Sequence, residues 1–176
     1  PKPLGTEATL AGEPPGRKRG YTAPDSPRFQ SPISREMSMP ISELMVAPMR
    51  QDLVRIGFKE MRTPEEVERL LASEGTVLVA VNSVCGCSAG AFRPGVGLAL
   101  QGPLKPRLLT TVFAGQDLEA TSRAREYFVG FPPSSPSLAL LKDGKLVFMM
   151  ERHQVEGRTP REIAADLTAA FEAHCR

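Results

Sequence analysis

The chain has 176 residues, 41% of them hydrophobic, enough for one domain with a core of its own. Its three cysteines are too few for a secreted disulfide framework, and its net charge of +2 is too small to argue for nucleic acid or a membrane surface. No run of about 18 apolar residues marks a transmembrane helix.

Residues 1–39 hold seven of the 17 prolines, with glycine, serine, scattered charge and almost no apolar periodicity. Such a segment cannot bury enough surface to offset its ordering entropy, so it reads as a disordered or loosely docked tail. Its six Lys/Arg against four Asp/Glu account for the whole net charge. The cluster Arg17-Lys18-Arg19 is expected to be solvated, with contact to an acidic partner as the other reading. The start of the chain lacks the apolar run of a signal peptide, which makes a reducing, cytoplasmic location the expectation.

From residue 40 onward the pattern alternates between helix and strand. Met49, Leu53 and Ile56 share one face of a helix over 48–56, which Gly57 can stop. A short strand follows at 58–61. Thr63-Pro64-Glu65-Glu66 is a capping box with proline at the first helical position, opening a helix to about Ala72. Thr76–Asn82 is an apolar, β-branched run of buried-strand type. After it come Cys85-Gly86-Cys87 and a helical stretch towards Leu100 that contains Pro94. Leu108–Phe113 is another strand, and Asp117 can cap a helix to about Tyr127. The runs 138–141 and 146–149 flank an Asp-Gly, the strongest short hairpin signal. Thr159-Pro160-Arg161-Glu162 repeats the capping box and opens a last helix with Ile163, Leu167 and Phe171 on one face. The order β-α-β-α-β-α-β-β-α implies an α/β fold whose early strands pair in parallel and whose last two form an antiparallel hairpin.

The cysteine pair carries the chemistry. A thiol where a strand hands over to a helix meets unpaired N–H groups and the positive end of the helix dipole, which favour the reactive thiolate. Cys85, first and nearer the strand end, is the expected nucleophile; Cys87 is placed to close an intramolecular disulfide. A Cys-X-Cys ring fits the usual Cα separation only with strain, which Gly86 eases. Strain raises the reduction potential, favouring de-capping or isomerisation over strong reduction. Resolution by an external thiol, with Cys87 as modulator, is the other route. Asn82 is expected to satisfy backbone near the thiols or to tune Cys85.

Asn82-Ser83-Val84-Cys85-Gly86-Cys87, Arg93-Pro94-Gly95, Phe113-Ala114-Gly115-Gln116-Asp117, Pro132-Pro133-Ser134-Ser135-Pro136, and Arg152-His153 with Glu156-Gly157 together resemble the bacilliredoxin family. The resemblance covers roughly residues 40–176. It implies a thioredoxin-like fold, a central mixed β-sheet flanked by helices, with the proline ahead of the hairpin strand, Pro136, in cis and facing the thiols. It also implies removal of bacillithiol, a low-molecular-weight thiol, from mixed disulfides on proteins, with weak disulfide isomerase activity attributed to the family. No bound cofactor is expected; the small thiol is a co-substrate, and a recycling reductase is a further partner. Two positions depart from the family pattern: Ser88, where alanine is frequent, and Phe148, where a polar residue or histidine is expected. Neither is expected to touch the thiols.

Competing readings have less behind them. Zinc held by the pair with Cys175, His153 or His174 would depart from the usual C-x₂₋₄-C spacing. Cysteines can be plain buried hydrophobes, but two flanking a glycine at a strand–helix junction argue against that. Cys175 reads as a frayed, exposed thiol and His153 as a surface histidine. The functional alternative is a non-catalytic thioredoxin-fold module that senses redox state or binds a protein partner.

Overall fold

The computed structural model describes residues 43–176, so the expected tail at 1–39 lies outside the described residues. The elements run α1 (Glu43–Val54), β1 (Lys59–Glu60), α2 (Pro64–Leu71), β2 (Thr76–Asn82), a π-helical turn (Ser88–Phe92) leading into α3 (Arg93–Ala99), β3 (Leu108–Phe113), α4 (Leu118–Arg125), β4 (Ser137–Lys142), β5 (Lys145–Met150), a 3₁₀ turn (Arg152–Gln154) and α5 (Pro160–His174).

The five strands form one sheet in the order β1-β3-β2-β4-β5. β1 and β2 flank β3 in parallel, and β4 pairs antiparallel with both β2 and β5. β2 is the central strand and every one of its residues is buried. Its side chains alternate between two cores, as the pleat requires. Leu78 and Ala80 face a layer built with Leu53 of α1, Val96 of α3 and Ile163, Leu167 and Phe171 of α5. Val77, Val79 and Val81 face Val67 and Leu71 of α2 and Ala120 and Ala124 of α4. Helices therefore cover both faces, which is why this strand is apolar throughout instead of alternating. A mixed sheet sandwiched in this way, with parallel strands entering an antiparallel hairpin behind a proline, is a thioredoxin-like fold.

Local signals set several boundaries. Both threonine capping boxes form, each with its glutamate reaching back to the cap backbone. Asp143 and Gly144 both have positive φ, 50° and 74°, the type I′ geometry that closes the β4–β5 hairpin. Gly57, at φ 102°, ends α1 in a conformation that side-chain-bearing residues rarely adopt. The Ser135–Pro136 peptide bond is cis.

Four expectations require correction. α1 begins at Glu43 and carries Pro48 inside it; its buried face is Val46, Arg50 and Leu53, while Ile56 is 37% exposed. The apolar period missed this register because a buried arginine occupies one of its positions. The strand expected at 58–61 shortens to Lys59–Glu60, with the Met61 N–H just beyond it still donating to the Thr111 carbonyl of β3 at 2.8 Å. Asp117 stands at the N-cap of α4, and its carbonyl accepts the Thr121 N–H at 2.8 Å, but its side chain makes no cap bond: the carboxylate accepts the Phe113 N–H at 2.9 Å and two bonds from Arg50 at 2.8 Å. Cys175 is not frayed; its N–H donates to the Phe171 carbonyl at 2.8 Å and its side chain packs, half-buried, against the α1–α3–α5 core layer.

Candidate active site

The site is built where β2 ends. Asn82 is the last residue of that strand and is 1% exposed. A buried amide must find partners for every polar atom. Its Nδ2 donates to the Met49 carbonyl of α1 at 3.0 Å. Its Oδ1 accepts from the Ser83 N–H at 2.9 Å, the Ser88 hydroxyl at 3.0 Å and Arg93 Nη1 at 3.2 Å. Asn82 thus ties the strand end to α1, to the π-helical turn and to α3.

Cys85 follows three residues later. Helical turns start at Gly86, and the Cys85 carbonyl accepts from the Ser88 and Ala89 N–H groups at 3.0 and 3.3 Å. The Cys85 Sγ lies 3.3 Å from the Ser88 backbone N–H. That is the place a serine or threonine oxygen takes at a helix start, so the thiol itself acts as the cap. The Ser83 hydroxyl lies 3.3 Å from the same sulfur. Cys87 occupies the first helical turn, half-buried like Cys85, and all three cysteines are reduced.

The two thiols have opposite electrostatics. Burial pushes Cys85 up, but hydrogen bonds from the Cys87 thiol, the Ser83 hydroxyl and the Ser88 N–H, with the positive charge of Arg152, outweigh it and hold Cys85 below its ordinary value. Burial pushes Cys87 up, and its hydrogen bond to Cys85 and the Cys85 charge push it further the same way. One member of the pair is predisposed to be thiolate and the other thiol.

Arg152 comes from the 3₁₀ turn behind β5. Its backbone N–H donates to the Ser134 hydroxyl at 3.0 Å and its Nη1 to the Ser135 carbonyl at 3.3 Å, the carbonyl of the cis bond. Glu156 pairs with its Nε at 2.6 Å. Pro136 is buried at the start of β4. Gly86 is exposed, and a Cβ built on it would meet nothing within 4 Å, so the dithiol form makes no steric demand for glycine there. His153 is a surface side chain, 72% exposed.

Sequence reasoning singled out Cys85, Gly86, Cys87, Asn82 and Pro136 and missed Ser83, Ser88, Arg93 and Arg152 as parts of this environment. The expectation that Ser88 stays clear of the thiols is overturned by its N–H on Cys85 Sγ. Arg93 and Arg152 were visible only as members of recurring short motifs; no spacing rule connects residues that meet through a turn and a sheet crossing. Among the described residues, no three His, Cys, Asp or Glu side chains are grouped so as to hold a metal ion. Likewise no helix is long and apolar enough to cross a membrane.

A two-cysteine site at the head of a helix, on a sheet of this topology, defines a thioredoxin-fold dithiol protein. The disulphide isomerase family profile matches residues 41–175. A bacilliredoxin of Bacillus thuringiensis is 53% identical over 131 residues, 74% of this chain and 91% of the relative. Bacilliredoxins of Geobacillus kaustophilus and Koribacter versatilis are 50% and 52% identical, over 80% and 76% of this chain and 97% and 92% of theirs. The chain belongs to the bacilliredoxin family, a family of redox-active thiol oxidoreductases. Among solved structures it is similar to the thioredoxin of Malassezia sympodialis, 16% identical over 68% of this chain and 92% of the other, with a TM-score of 0.48. For the thioredoxin of Aeropyrum pernix the identity is 22%, the coverage 64% and 84%, and the TM-score 0.44.

Proposed function

We propose that this protein removes a low-molecular-weight thiol of the bacillithiol type from protein mixed disulfides, with Cys85 as nucleophile. The observation that carries the reading is the asymmetry of the pair: Cys85 accepts from the Ser88 N–H, shares a hydrogen bond with the Ser83 hydroxyl and is held towards thiolate, while Cys87 is held towards thiol. The Cys85 thiolate attacks the small-thiol sulfur of the mixed disulfide. The Cys85–small-thiol disulfide forms, the client's disulfide bond breaks, and the client cysteine leaves as a thiolate that takes a proton from water. Cys87 then loses its proton and attacks Cys85 Sγ. The Cys85–Cys87 disulfide forms and the small thiol is released. A recycling reductase supplies two electrons and two protons to restore the dithiol. Gly86 serves this second step, where ring closure needs backbone freedom. Weak disulfide isomerase activity would use the same first attack on a protein disulfide. A cytoplasmic location, where such adducts form under oxidative stress and reductant is at hand, fits this cycle.

The test uses a protein carrying a bacillithiol mixed disulfide and follows small-thiol release by mass. The wild-type chain is expected to release it, Cys85→Ser to leave it in place, and Cys87→Ser to take one equivalent and stall as a Cys85 adduct. An active Cys85→Ser protein overturns the proposal. So does transfer that never passes through Cys85 in any variant.

A further inference from the structure

We infer that Arg93 is a positioning residue for Cys85, acting through Ser83 and Ser88; this rests on the reading of Cys85 as nucleophile. Arg93 opens α3, one turn beyond the thiols, and is 7% exposed. A buried guanidinium is costly unless its donors are used, and the acceptors it takes are informative. Its Nε donates to Asp52 of α1 at 2.9 Å. Its Nη1 gathers three acceptors: the Ser88 hydroxyl at 3.1 Å, Asn82 Oδ1 at 3.2 Å and the Ser83 carbonyl at 3.4 Å. Two of those residues are the ones whose polar groups reach Cys85 Sγ, Ser83 through its hydroxyl, which donates once the sulfur is thiolate, and Ser88 through its backbone N–H. One nitrogen therefore pins both sides of the cradle that holds the sulfur, and Asn82 braces the same two residues from the strand.

The remainder of the charged surroundings does not duplicate this role. Cys87 lies in the same turn as Cys85, and Arg152 acts from the 3₁₀ turn by charge, with Glu156 paired to it. Asp52, 47% exposed, anchors Arg93 from the solvent side. Without Arg93, Ser83 and Ser88 lose a shared anchor, their donation to the thiolate weakens, and Cys85 needs a higher pH to become reactive.

The measurement is the rate of iodoacetamide alkylation at Cys85 across pH, read by peptide mapping on the full-length chain, for wild type and Arg93→Met. Arg93→Met is expected to move the midpoint up and to slow alkylation at pH 7 by about three- to tenfold, the loss of one hydrogen bond's worth of thiolate stabilisation. Well above the midpoint the rates should converge, which a merely loosened fold would not produce. Arg93→Lys restores charge and donors without the fork and should recover a midpoint between the two. Ser88→Ala keeps the N–H but removes the hydroxyl that Arg93 and Asn82 share, and should shift the midpoint in the same direction by less. Those two variants carry the test where Arg93→Met does not fold. Wild-type midpoints in the folded variants overturn the inference alone. A wild-type chain in which Cys85 is not the first thiol alkylated overturns the functional reading beneath it.

Discussion

Two thiols separated by one glycine would be equivalent in an unfolded chain. Here the helix start separates them, because only Cys85 sits where the Ser88 N–H and the Ser83 hydroxyl converge. The sign for reactivity follows from thiolate fraction: Cys85, held below its ordinary value, gains nucleophile at lower pH than Cys87 or Cys175, both held above theirs. Iodoacetamide titration of the wild-type chain should therefore label Cys85 first, with a midpoint below the free-thiol value of about 8.5. Labelling of Cys87 or Cys175 ahead of Cys85 at neutral pH would contradict the assignment. At this scale the sequence exposed the thiols, because cysteine chemistry is legible from identity and a strand–helix junction from local pattern. It hid the residues that tune them. Ser83, Ser88 and Arg93 are common residues whose role comes from hydrogen-bond geometry, and Arg152 reaches the site from a turn more than 60 positions away.

Elements assemble around two contacts that composition does not announce. α1 is pinned by Arg50, buried on the face where the apolar period alone would put another hydrophobe, with its guanidinium forked onto Asp117 and 5.0 Å over the Phe113 ring. Asp117 in turn takes the Phe113 N–H, so the pair joins α1 to the end of β3. Arg50 also pairs with Glu43 and Glu60, each at 3.1 Å, whereas Arg50 is the one cation paired with Asp117 among the described residues, so removing Arg50 leaves a buried carboxylate uncompensated, at a cost of about 3–5 kcal/mol. Arg50→Met should lower stability by about that much in urea unfolding, Asp117→Ala by less because Arg50 keeps Glu43 and Glu60, and the double variant Arg50→Met/Asp117→Leu should lose less than the sum of the two single changes. Additive losses would show that the pair is not a coupled unit. The second contact is α3 against α5. A Cβ on Gly95 would lie 2.8 Å from Ile163 Cγ2 and 3.0 Å from the Pro160 carbonyl, which is backbone and cannot swing aside. Gly95→Ala should destabilise by about 1–3 kcal/mol despite alanine's better helix propensity; a stabilised variant would mean that α5 shifts freely. The capping boxes, the type I′ hairpin and the all-buried β2 were readable because each depends on neighbours in sequence. The extent of α1, the shortness of β1 and the role of Asp117 were not, because each is decided by a partner far along the chain.

For the molecule as a whole, what matters is how much chain the working domain needs. The family match spans residues 41–175, and all three thiols lie within it. Residues 1–39 contribute prolines, glycines and the surplus positive charge, but neither thiol chemistry nor apolar periodicity. Deleting 1–39 should therefore leave the melting temperature and the Cys85 alkylation rate within error of the full chain. The boundary should be sharp, because α1 is not an accessory. Its Met49 carbonyl holds Asn82, its Asp52 holds Arg93, and its Arg50 neutralises Asp117. Extending the deletion through Val54 would strip all three supports together and leave Asp117 buried without its cation. That variant should melt lower by on the order of 10 °C or more and lose Cys85 reactivity at neutral pH together with stability. Thermal unfolding and alkylation of the two truncations side by side decide it. If deleting 1–39 already lowers the melting temperature, the first residues belong to the domain; if deletion through Val54 is tolerated, the buried links from α1 to the site do not support it.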